Sequence, residues 1–141
     1  MYTSLAPIFG WTALIAILAL AWIKGGMSER YGVVIVLVGA AYAFLVHMFA
    51  PTALQPFLLL LGEGAMGVAF LVLALRYTSP WLGGAMLFQA IQFSLHAYYL
   101  VGDLPRDYTY AVINNIDTLG VLACILIGTL LAWRKRNRLA K

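Results

Sequence analysis

Charge is what this chain has least of. Charged residues make up 10% of its 141 positions, with nine Lys and Arg, five Asp and Glu, and two His. A soluble domain carries about 25% charged residues, so a water-facing globule is excluded. Cysteine is almost absent: Cys124 stands alone, so no internal disulfide forms and cysteine usage says nothing about redox compartment. No stretch is polar enough for a soluble domain or long enough to recognise a soluble substrate. The metal and redox spacings HxxxH, ExxH and CxxC are missing, which leaves any metal site to ligands from separate helices. Strict polar–apolar alternation is missing too, which excludes a membrane β-barrel. The formal charge of +4 does not signal nucleic-acid binding. Its basic residues gather at Arg134, Lys135, Arg136, Arg138 and Lys141, directly after the last apolar run. There they act as a topology signal and an anionic-lipid contact.

What remains is apolar: 64% of residues are hydrophobic and the mean hydropathy is +0.93. Five runs, roughly 7–23, 32–50, 56–75, 80–101 and 110–133, are each long enough to cross a bilayer as a helix. The sequence therefore predicts an all-α integral membrane protein, a single transmembrane domain of five helices followed by a basic tail over 134–141. Ser79-Pro80 reads as an N-cap and first helical residue, and Asp107 as the cap of the fifth helix. The basic tail places the C-terminus in the cytoplasm. Counting back, Arg76 and the pair Lys24 and Arg30 fall in inner loops, while 51–55 and the Asp103–Arg106–Asp107 loop fall outside. The N-terminus is then outside, in a plasma membrane or bacterial inner membrane. The first run lacks a basic leader, which favours an uncleaved span. Trp11, Trp22, Tyr31, Trp81, Tyr108, Tyr110 and Trp133 lie near run ends and read as an interfacial aromatic belt.

Ionisable residues inside spans are costly and usually face the bundle interior. This chain offers His47, Glu63, His96 and Asp117, with amides at Gln89, Gln92, Asn114 and Asn115. At about 1.5 Å per residue, the four ionisable groups sit in one layer, roughly 4–10 Å outside the midplane. Ala85, Gln89, Gln92, His96 and Tyr99 make one helical stripe. Asp117, Gly120, Cys124 and Gly128 make another, and its small residues favour close packing within the bundle. Gly39, Ala43 and His47 share a side of the second helix, as do Glu63 and Gly67 on the third.

These residues predict a site of His47, Glu63, Gln92, His96, Asn114 and Asp117, open to the outside and binding a cation, metal ion or proton, with transport as an extension. His47, His96, Glu63 and Asp117 are the expected metal ligands. Two other readings stand beside it. One is a non-catalytic subunit of a larger membrane assembly or homo-oligomer, its polar residues serving as interhelical hydrogen bonds. The other is a b-type haem with His47 and His96 as axial ligands. Enzymatic chemistry is the weaker reading: Ser94 and His96 point to different helix faces, so they make no dyad, and nothing in the sequence selects an intramembrane isomerase or lipid-modifying enzyme with Glu63, Asp117 and a histidine as acid and base.

Overall fold

The computed structural model describes the backbone of residues 6–140 and the side chains of residues 10–140. It is all-helical. The elements run α1 (Ala6–Lys24), α2 (Met27–Phe49), α3 (Gln55–Arg76), α4 (Pro80–Val101) and α5 (Tyr108–Leu139). Each helix packs on the next, and α5 closes the ring by packing on α1 and touching α2. Three of the five (α2, α3 and α5) are long and apolar enough to cross a membrane.

Two helices differ from the runs read in sequence. α2 starts at Met27 rather than near 32, so Ser28 and Glu29 belong to it. α5 continues to Leu139, so the basic segment is helical through that residue. The breaks follow local chemistry. Only two residues join α1 to α2, and Gly25 is required there because a β-carbon would meet the Ala21 carbonyl and Glu29 Cβ (2.7 Å). Pro80 occupies the first position of α4. Ser79 holds the expected cap position, yet its hydroxyl makes no capping bond and lies 3.5 Å from Ser28 Oγ. Asp107 caps α5 as expected, its Oδ1 accepting from the Tyr110 N–H at 2.9 Å.

The interior is divided along its axis. Leu18, Val33, Phe70, Leu82 and Ile125 belong to one apolar cluster, drawn from all five helices at the end carrying the basic residues. The opposite half holds the buried Gln89, Gln92 and His96 of α4 and Asp117 of α5, with Glu63 of α3 partly buried beside them. Outward surfaces are apolar in both halves, with Phe44, Val68, Leu87 and Ile127 all exposed. The small-residue stripe of α5 lies inside the bundle, against α4. Phe88 occupies the space over Gly120, Cys124 Sγ that over Gly84 and the Trp81 indole that over Gly128. Large side chains thus face glycines across the seam, which lets the two backbones approach closely.

Candidate functional site

Helical periodicity puts Gln89, Gln92 and His96 on one side of α4, and all three are buried. Antiparallel packing of α5 on α4 sets Tyr110 beside His96 and Asn114 beside Gln92. The same register brings Asp117 level with Gln89. From α3, Glu63 reaches into this group. Gln89 Nε2 donates to Glu63 Oε2 at 2.5 Å and to the Glu63 carbonyl at 3.2 Å. Gln92 Nε2 donates to Asn114 Oδ1 at 3.1 Å and more weakly to Glu63 Oε1 at 3.4 Å. His96 Nε2 lies 3.2 Å from Asn114 Oδ1, 3.0 Å from the Tyr110 hydroxyl and 4.0 Å from Glu63 Oε1. Five side chains from α4 and α5 and one carboxyl from α3 therefore form a connected polar layer.

The imidazole is the variable element of this layer. Protonated at Nε2, it donates to Asn114 Oδ1; unprotonated there, it accepts from Tyr110. One proton on His96 thus selects between two hydrogen-bonding patterns. One turn deeper, Gln89 Oε1 and Asp117 Oδ2 are buried with no hydrogen-bond donor. Both are acceptors, and buried acceptors without donors cost about 1–3 kcal/mol each. Asp117 also lies within electrostatic range of Glu63. Among the described residues no lysine or arginine forms a salt bridge with either carboxyl; His96 is the sole cationic candidate within 4.0 Å. Asp117 is buried and Glu63 partly so, and carboxylates so placed without a fixed counter-charge call for a proton or another cation.

Above the layer, at the α4–α5 loop, a cleft of about 320 Å³ opens outward. His96, Tyr99, Gln55, Asp103 and Arg106 are among its lining residues. Its rim is held by short-range contacts. Tyr99 donates to Asp107 Oδ1 at 2.9 Å, Arg106 lies over the Tyr110 ring at 5.1 Å, and Asp103 adopts a left-handed backbone (φ 48°). Asp107 lies outside the helices' apolar stretches. The Tyr110 N–H and then the Tyr99 hydroxyl bond its charged form and hold its carboxyl below the usual carboxylate value.

Of the six residues read from sequence as a site, five come together: Glu63, Gln92, His96 and Asn114 by direct contact, and Asp117 one turn deeper. His47 does not join them. It is exposed and its Nδ1 bonds the Ala43 carbonyl of its own helix at 2.8 Å. The expected metal set of His47, His96, Glu63 and Asp117 is accordingly not assembled. Among the described residues no group of three or more His, Cys, Asp and Glu side chains converges on a point where a metal would sit. Bis-histidine haem ligation needs two imidazoles facing one slot, whereas one here is exposed on α2 and the other has Nε2 engaged by Asn114 and Tyr110. Asn115 is exposed as well, which leaves Asn114 and Asp117 as the inward pair on α5.

One aromatic of the expected interfacial belt belongs to the core instead. Trp81 is buried, packs edge-on to Phe70 with ring centroids 6.4 Å apart, and donates from Nε1 to Glu29 Oε1 at 2.8 Å. Glu29 is itself buried. Ser28 Oγ also donates to its Oε1, and the Gly26 N–H to its Oε2. Sequence reasoning passed over this carboxylate. The signal available was a glutamate three residues after a helix-starting glycine, half of a capping box. With every oxygen bonded, Glu29 fastens the start of α2 to α4. No family model, no curated protein and no solved structure matches the chain.

Proposed function

We propose that this is an integral membrane protein of five spans, with its N-terminus outside and its C-terminus in the cytoplasm, in a plasma or bacterial inner membrane. The reading is supported even for α4, whose mean hydropathy is lowered by inward residues. Gln89, Gln92 and His96 are buried while Leu87, Ile91 and Phe93 are exposed, so the lipid-facing side is apolar. The cations of the inner loops and of the end of α5 support the orientation. Its function is to take up and release a proton at the Glu63–His96–Asp117 group, with the outward cleft as the route for water. The single observation carrying this is a pair of inward carboxyls, Asp117 buried and Glu63 partly buried, that among the described residues have no lysine or arginine partner. Glu63 and Asp117 hold the proton, His96 relays it, and Gln92, Asn114 and Tyr110 orient the imidazole.

The test is infrared difference spectroscopy of the protein in nanodiscs as pH is stepped. A carboxylic-acid carbonyl band that titrates, shifts in deuterated water and disappears in Glu63→Gln with Asp117→Asn is the expected result. A second reading is favoured by the amide bonds joining α3, α4 and α5: the layer is interhelical glue in a subunit of a larger assembly. Absence of any titrating acid band in a folded wild type would leave that reading in place. Proteoliposomes carrying an internal pH dye then separate simple proton binding from transport.

A further inference from the structure

The outward cleft and the polar layer are absorbed by the proton site, and Glu29 is fully satisfied. A different feature lies at the other end of α5. Several cations at this end are engaged by the protein. Lys24 lies 5.2 Å from the Trp133 ring centroid, Arg76 lies 5.8 Å from that of Tyr77, and Arg30 Nε donates to the Trp22 carbonyl at 3.0 Å. Arg136 donates to the Lys24 carbonyl. Arg134, Lys135 and Arg138 have no such partner among the described residues. With Leu131 and Leu139 they line a groove of about 370 Å³. Their spacing of three, four, seven and eight residues from Leu131 places all five on one face of α5.

The occupant follows from charge and depth. Among the described residues the side-chain carboxylate at this end is Glu29, which is buried and already accepts three hydrogen bonds, so it is not free to pair with the groove's cations. About 20 residues cross the hydrocarbon layer. A helix entering near 110 therefore leaves it near 130, with Leu131 at the boundary and the three cations among the headgroups. A free anion would use the cations and leave both leucines, 50% and 80% exposed, in water. A phospholipid uses both: phosphate on the cations, acyl chain on the leucines. We infer that this face of α5 binds the headgroup of an anionic phospholipid from the inner leaflet. The inference rests on the five-span topology but not on the proton site.

Native mass spectrometry of the detergent-purified full chain tests it, using phosphatidylglycerol and phosphatidylcholine of matched acyl chains. Phosphatidylglycerol adducts should be retained preferentially. Replacing Arg134, Lys135 and Arg138 by Gln together should reduce that preference by about a hundredfold, near fivefold per cation. Raised salt should weaken it in the wild type, which keeps the test valid if the triple variant folds poorly. Arg76→Gln removes an inner cation away from the groove and should change little. A preference surviving the triple substitution overturns the inference. So does an equal loss in Arg76→Gln, which means diffuse surface charge, or displacement of the lipid by inorganic phosphate, which means a free-anion site.

Discussion

Gly128→Ala should destabilise the bundle by about 2–4 kcal/mol, far more than a single methyl usually costs. The reason lies in the neighbours of Trp81. A β-carbon at Gly128 would stand 2.6 Å from Trp81 Cγ and 2.8 Å from its Nε1. The indole has no free side to move toward, because a β-carbon at Gly32 would already lie 2.8 Å from its Cη2. Overpacking of this kind costs about 1–3 kcal/mol. Displacing Nε1 from Glu29 Oε1 weakens a hydrogen bond to a carboxylate worth about 1.5–3 kcal/mol. Better helix propensity of Ala over Gly returns about 1 kcal/mol. The control is Gly83→Ala, where a β-carbon meets nothing within 4 Å; it should be neutral or stabilising. Unfolding in detergent, followed by far-ultraviolet circular dichroism, measures both. Repeating Gly128→Ala in a Trp81→Phe background should shrink its cost, since the smaller ring leaves room and the bond is already gone. If Gly128→Ala and Gly83→Ala have equal stability, the packing argument fails.

Other outcomes follow from the same structure. His47→Ala should leave both stability and the infrared acid band unchanged, because its exposed ring bonds the Ala43 carbonyl of its own helix; His96→Ala should alter the band's titration. Gln92→Leu should lower stability by about 1–3 kcal/mol, since it removes the donor that Asn114 and Glu63 share; thermal unfolding in detergent reads this directly. At the α4–α5 loop, Asp107 is held below its usual value of 3.8 by the Tyr110 N–H and the Tyr99 hydroxyl. A depressed carboxyl stabilises the turn fully above its unfolded value and loses that effect as pH falls through the folded one. Hydrogen exchange at the Tyr110 amide, corrected for intrinsic rate, should therefore be constant at neutral pH and rise only below about pH 4; a rise near pH 6 would contradict the cap.

The hydrophobic runs made the helices legible, and the α4 stripe made one wall of the site legible, because a helix repeats its face every three to four residues. Facing failed where short-range logic was extended too far. Gly39 does pack against α3, at Met66. His47 is eight residues on, about 80° further around the helix, and the turn carries it onto the exposed side. Asn115 is likewise about 100° from Asn114. The start of α2 was hidden because Ser28 and Glu29 are polar in an apolar protein, and only their partners explain them. Trp81 lies 52 positions from Glu29, a distance no local pattern spans, and a tryptophan near a run end looks the same whether it meets lipid headgroups or a buried carboxylate.

Closure of the ring by α5 on α1 has a consequence for biogenesis. Of the five helices, α1 finds its principal partner in α5, 112 positions apart where Arg136 reaches the Lys24 carbonyl. Until the ribosome has delivered the whole of α5, α1 has only α2 to lean on. Each of α2, α3 and α4 extends an open arc with a bare flank, and α5 joins its two ends. The arc therefore stays open to quality control until α5 is made, and a chain cut short before α5 leaves a bundle that cannot shut.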